Sequence, residues 1–279
     1  MTDTQLADRE LEALLSLLGT ESDRSLAVIV EQVRAFPLDR LQRLAELAAA
    51  RGGPDDHLNL LLAERDSPRL QALFLRWLAH GADLEEGALL VARVGYPLLD
   101  TQHVRDRLDQ LAAEARNHCG PESPRDSLAA LIQIVTGEWH FHGDSDDYYN
   151  PDNCYLNAVL ARRKGLPITL SILYMMLGRR LGMHISGIGL PSHFIACLQT
   201  TDVPLYFDPF DDGTLLTEVD VKALVETSGL PFRAAYLRPS DNVAIIRRML
   251  TNLVNMYDMH EDLEWGDLVR QHLAAISFV

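Results

Sequence analysis

From residue 184 the apolar residues stop recurring at every third and fourth position. They gather instead in short runs parted by turn residues: HISGIGL, HFIACL, PLYFDPF and, after Gly213, TLLT. Such runs, bounded by Gly, Pro, Asp and Ser, read as strands, and their close succession predicts an antiparallel meander. Before and after this stretch the period is helical. An order of helices, then sheet, then helices gives an α+β fold with one compact sheet.

The helical part begins with Leu11, Leu14, Leu15 and Leu18, then Leu41, Leu44 and Leu47, spaced to line one face of successive helices. Gly52-Gly53-Pro54, Gly81 and Gly95-Tyr96-Pro97 read as breaks, and Asp100 or Thr101 as the cap of a helix ending near Arg116. Residues 117–127 (NHCGPESPRDS) read as a loop and a domain boundary, with Ser127 capping a helix over 128–136. No apolar period runs through 137–153, so a structured surface loop is expected there. A short helix over 153–164 stops at Gly165, and a strongly apolar one runs from Pro167 to Leu181 with Gly182 beyond its end, matching the preference for Pro inside a helix start and Gly past its end. Further helices are expected over 219–227, 242–257 and 263–276. Three parts result: a helical region over 1–120, a core over 121–235 and a helical segment over 236–279.

Composition narrows the function. A net charge of -15 repels phosphate backbones and anionic membranes, so neither nucleic acid nor a membrane is expected as a partner. The cations Arg162, Arg163, Lys164, Arg179 and Arg180 fall at predicted helix ends, where they complement the dipole. No apolar run approaches the roughly 20 residues of a membrane span. The acidic opening MTDTQLADRE is unlike a secretory signal, and Cys119, Cys154 and Cys197 form no paired framework, so a reducing cytoplasm is the expected compartment.

Two polar residues interrupt apolar strands, His193 and Asp208. A hairpin turning about Thr200 and Thr201 sets them opposite one another, with Cβ atoms about 4.5–5.5 Å apart. An imidazole oriented by a carboxylate is the base half of a nucleophilic triad, and equally a structural bond between two buried polar groups. Of the thiols, only Cys154 follows a capping sequence, Pro151-Asp152-Asn153, and so is expected in a helix first turn where the dipole would activate it. The plainer reading makes it a small buried side chain. Ser171 is a weaker candidate, one turn into its helix. His140 and His142, with His118 or Cys119, offer only a weak metal pattern, and no metal or other cofactor is implied. Tyr148, Tyr149, Tyr155, Tyr174, Met175 and Met176 read either as core or as the wall of a peptide cleft.

The run YYNPDNCYLNAVLARRKGLPITLSILYMMLGRRLG, followed by GIGLPSHFIACL and YFDPFDDGTLLT and preceded by DLEEGALLVARVGYPLLD, resembles a bacterial transglutaminase-like family of SirB type, whose module also occurs in some F-box proteins. The likeness covers about residues 85–220. Near the chain end, Leu250, Leu253, Tyr257 and Gly266 are similar to the tetratricopeptide segment that commonly follows this module. The resemblance implies a papain-like core in which a nucleophile helix packs on an antiparallel sheet carrying His and then Asp. Its pattern of Gly, one residue, then catalytic Cys falls on Gly165 and Pro167, with Gly182, His193 as base and Asp208 as orienting acid. Pro167 carries no nucleophile. Gly143-Asp144 also departs from the family's usual Gly-Asn. The resemblance therefore implies a degenerate site, with Asn153, Tyr155, Pro167, Ser171, His193 and Asp208 about the cleft and a peptide or protein as partner. The alternative is a thiol-dependent hydrolase or acyltransferase using Cys154, His193 and Asp208.

Overall fold

A computed structural model describes residues 3–18, 31–50, 56–118 and 123–277. The chain divides into two compact units, one of residues 1–72 with 93–99, the other of residues 73–92 with 100–279. In the first unit α1 (Asp3–Leu18), α2 (Leu38–Ala50) and the start of α3 (Asp56–Ala79) supply a leucine core of Leu11, Leu41, Leu44, Leu58, Leu61 and Leu62. The Gly52-Gly53-Pro54 break lies outside the described residues. The sequence-based boundary at 120 differs from this division because helix α5 packs with the core. After α4 (Leu84–Gly95), α5 (Thr101–Arg116) is tied to the later chain by Arg116, whose guanidinium donates to Arg180 O at 2.9 Å. Asp100 caps α5, accepting from the Gln102 and His103 N–H groups.

Helix α6 (Pro124–Ile132) starts earlier than expected. Ser123, not Ser127, is its cap, because Pro124 takes the first position, where a missing N–H costs nothing. It continues as a π-helical turn, Gln133–Glu138. In the loop that follows, β1 (His142–Gly143) pairs in parallel with β2 (Lys164–Gly165). Between them the expected helix over 153–164 is broken into a 3-10 turn, Pro151–Asn153, and α7 (Leu156–Arg162), which ends at Arg163 in the left-handed region. Helix α8 (Pro167–Leu181) matches its predicted limits. It is buried on nearly every side, as a central helix must be, and Gly182 closes it at φ +76°.

The sheet is the predicted meander: β3 (Ile185–Leu190), β4 (His193–Leu198), β5 (Leu205–Asp208) and β6 (Thr214–Leu216), each antiparallel to the next. One of its faces packs on α8, where Tyr174 meets Phe207 edge to face with ring centroids 5.1 Å apart. Helix α9 (Glu218–Thr227) follows β6 behind a Thr217–Asp220 capping box. Helices α10 (Asn242–Met259) and α11 (Leu263–Ala275) then form a hairpin within the second unit. Fold class is therefore α+β, with helices flanking a small antiparallel sheet. No helix among the described residues is long and apolar enough to cross a membrane.

Candidate functional site

Residues His193 and Asp208 come together, though by a different register from the one expected. Cys197 faces Tyr206 and Leu198 faces Leu205, so continuing the ladder sets Asp208 opposite Ile195 rather than His193. The turn before Pro204 is longer than a tight Thr200-Thr201 hairpin, which shifts the pairing by two residues. A two-residue shift keeps both side chains on one face, and the imidazole reaches diagonally. His193 Nε2 lies 2.6 Å from Asp208 Oδ2. The other carboxylate oxygen accepts the Phe210 N–H at 3.0 Å. A carboxylate only accepts, so the His193 Nε2–H donates to it and Nδ1 faces the other way. Phe210 also meets the imidazole edge to face at 6.5 Å and Tyr148 at 5.8 Å.

Beside this pair is a cavity of about 110 Å³ lined by Tyr148, Pro167, Ile168, Ser192, His193, Phe194, Arg248 and Asn252. Pro167 is the first residue of α8, and its N-cap is Leu166, whose side chain offers no capping oxygen. The first amide to bond back across the helix start is that of Leu170, to Leu166 O at 3.0 Å. The N–H groups of Ile168 and Thr169 precede it, so the partial positive end of α8 is left without a side-chain cap.

Three other sequence candidates are placed elsewhere. Asn153 is fully buried and structural: its amide donates to Asp147 O at 2.7 Å, its Oδ1 accepts from Arg162 at 3.0 Å, and its carbonyl accepts from Leu166 N. Tyr155 is core, its hydroxyl 2.9 Å from that of Tyr257. Ser171 is buried within α8 and donates to Pro167 O at 2.7 Å. None of them lines the cavity.

The expectation for Cys154 also changes. It ends the 3-10 turn rather than opening α7, whose N-cap is Tyr155. Fully buried, its thiol donates to Met249 O at 3.4 Å, and burial pushes it up to about 12. A helix start would have pulled it down. Cys197 is buried in β4, while Cys119 lies outside the described residues. Among the described residues no group of His, Cys, Asp and Glu is placed to hold a metal ion.

The basic clusters do sit at helix ends, but their main partners are carboxylates. Arg162 and Lys164 bracket the buried Asp144, at 3.1 and 3.7 Å, which gives the Gly143-Asp144 departure a structural role. Arg180 binds Glu85 and Asp109. Met175 and Met176 line a separate cavity of about 530 Å³, with Asp83, Arg179 and His184. That larger space contains neither His193 nor Pro167. Of the four tyrosines singled out, only Tyr148 lines the smaller cavity.

Arg248 and Asn252 escaped the sequence reading. They lie one turn apart on α10, beside its buried stripe of Ile245, Ile246, Met249, Leu250 and Leu253. The available signal was a polar i,i+4 pair flanking that stripe. Arg248 donates to Leu190 O at 2.9 Å and to His193 O at 2.7 Å, and its guanidinium lies 5.4 Å from the centre of the Phe194 ring. These bonds hold the β3–β4 turn, where Ser192 has φ +60°.

A central helix whose first turn faces a His–Asp pair on an antiparallel sheet is the layout expected of a transglutaminase-like core. The family model of the Transglutaminase-like superfamily matches residues 102–251, and the chain belongs to that family. It is similar to a UPF0162 protein of Xylella fastidiosa, 34% identical over 181 residues that cover 61% of this chain and 63% of the relative. A UPF0162 protein of Vibrio cholerae is 32% identical over 178 residues, covering 61% and 65%. Human F-box only protein 21 is 32% identical over 138 residues, which are 46% of this chain and 21% of that protein. The chain thus matches a little under two thirds of the length of these two bacterial relatives. No solved structure matches it.

Proposed function

We propose that this chain is a non-catalytic transglutaminase-like module, of SirB type, that recognises a peptide or protein segment in the cleft beside His193. The observation that carries this reading is Pro167. It stands at the first position of α8 and lines the same cavity as His193, which is bonded to Asp208, where acyl transfer would need a nucleophile. Base and orienting acid remain, and the group they would activate is missing. The net charge of -15 favours basic segments as partners. On this reading α10 and α11 form a tetratricopeptide-like hairpin, and buried, unpaired Cys154 and Cys197 suit a reducing cytoplasm.

The test has two arms. A peptide array should yield ligands whose capture is lost in His193→Ala, and an array insensitive to that change would defeat the proposal. Iodoacetamide labelling of Cys154 across pH should stay slow, with no dependence on His193. A Cys154 labelling pKa well below the free value of about 8.5, rising in His193→Ala, would instead support a thiol hydrolase or acyltransferase.

A further inference from the structure

We infer that the cavity beside His193 is a carboxylate-binding pocket, with Arg248 and Asn252 as its ligand-gripping residues and the free C-terminal carboxylate of a peptide as its occupant. The inference rests on the peptide-binding reading and specifies what the peptide must present.

Charge is the first argument. The molecule carries -15 overall, yet no Asp or Glu lines this cavity, and its one permanently charged side chain is Arg248. Two other half-buried arginines of this unit do have carboxylate partners, Arg162 in Asp144 and Arg180 in Glu85. Arg248 has no carboxylate partner among the described residues. Backbone carbonyls account for two of its five N–H donors, leaving three. A guanidinium so placed is completed by a planar two-oxygen acceptor.

Donor count is the second argument. The Asn252 amide, on the same face of α10, has no hydrogen-bond partner among the described residues, and Tyr148 and Ser192 add hydroxyls. His193 Nδ1 points away from Asp208. The uncapped start of α8 adds Ile168 N–H and a favourable dipole to the same wall. So many donors, with the nearest carboxylate, Asp208, already taken up by His193 and Phe210 N–H, suit an oxyanion.

Size is the third argument. About 110 Å³ admits a head-group and some water, not a run of residues. A peptide can offer its end there while its basic residues lie over the acidic exterior.

Nuclear magnetic resonance of the full chain can test this with three N-acetylated, lysine-containing tripeptides. The first has a free C-terminus, the second is its C-terminal amide, and the third is an amide with glutamate at the middle position; acetate serves as a fourth probe. The free acid should bind saturably and shift the Ile168 amide and the Arg248 Nε–H, and the plain amide should not. Arg248→Gln should weaken binding at least about tenfold. Because that change also releases two carbonyls of the β3–β4 turn, Asn252→Leu, which frees no backbone group, should weaken it as well. Equal binding by acid and plain amide would overturn the inference and leave the peptide-binding reading standing. Equal binding by the glutamate-bearing amide would overturn the chain end as the source of the carboxylate. Binding indifferent to both substitutions would overturn the assignment of Arg248 and Asn252. Shifts with acetate but no peptide would defeat the peptide-binding reading alone, and no shift with any probe would defeat both.

Discussion

His272 on α11 is fully buried, with neither ring nitrogen hydrogen-bonded, 5.7 Å from the Phe74 ring between centroids. Burial holds its imidazole down at about 4. An unfolded chain takes up this proton near 6.5, so between about 4 and 6.5 the unfolded state binds more protons. Stability therefore falls as pH drops through that window and is unaffected by this group above it. Urea unfolding of the wild type and His272→Leu at pH 7 and pH 5 should show the acid-induced loss smaller by about 2 kcal/mol in the variant. Equal losses would mean that His272 is not held neutral. Gly143 is constrained by space: a Cβ there would lie 2.5 Å from both the ring and the carbonyl oxygen of Phe210. Gly143→Ala should cost about 1–3 kcal/mol in denaturant titrations and disturb Phe210, which seats the Asp208 carboxylate. An unchanged midpoint would count against that packing. At this scale the sequence was readable where a polar residue broke an apolar pattern, as His193 and Asp208 do. Arg248 was hidden because an arginine beside a helix stripe resembles any solvated cation until the carbonyls it holds are known.

At the element scale, helix α8 decides both stability and chemistry. Its C-terminal end is anchored by Arg180, which binds Glu85 at 2.7 Å, while Arg105 meets the same carboxylate at 2.9 Å. Burial alone would raise the Glu85 carboxyl, but the two guanidiniums outweigh it and hold it below the usual range. Glu85→Ala should cost about 3 kcal/mol in chemical denaturation, since it strands partly buried cations. A loss no greater than that of an exposed ion pair would refute the anchor. The other end can be tested by restoring a thiol. In Pro167→Cys the sulfur stands at the helix start beside His193, and its labelling pKa should fall below about 8 while Cys154 stays unreactive. A normal value at position 167 would mean that this cavity cannot activate a nucleophile. Helix α8 was legible end to end because Pro167 and Gly182 punctuate it. The preceding helix was not, because the chain there is fixed by particular partners, Asn153 with Arg162 and β1 with β2, that leave no apolar period. Likewise the strands were found but their register was not, since turn length and not strand pattern sets it.

Across the whole molecule, the charge of -15 and the acid-free cavity act at different ranges. Screening works over a Debye length of about 8–10 Å at ordinary ionic strength, so salt alters approach more than final contact. Stopped-flow association of a basic peptide with a free C-terminus should slow as salt rises, while an acidic peptide with the same end should speed up. Parallel trends for the two would show that the exterior does not steer ligands. The α+β order was plain from the change in period, and a single repeat-like segment, too short to stand as a solenoid, is expected to pack on the core. Cys154 bonds to Met249 O, Tyr155 to Tyr257, and Arg248 to the carbonyl of His193. Those contacts bear on how separable the parts are. A tail that could be traded between proteins would meet its neighbour through a surface of its own, but here one helix supplies the guanidinium and a strand more than fifty residues earlier supplies the imidazole. The sheet and α10 therefore build one wall between them, and a change to either is felt by the other.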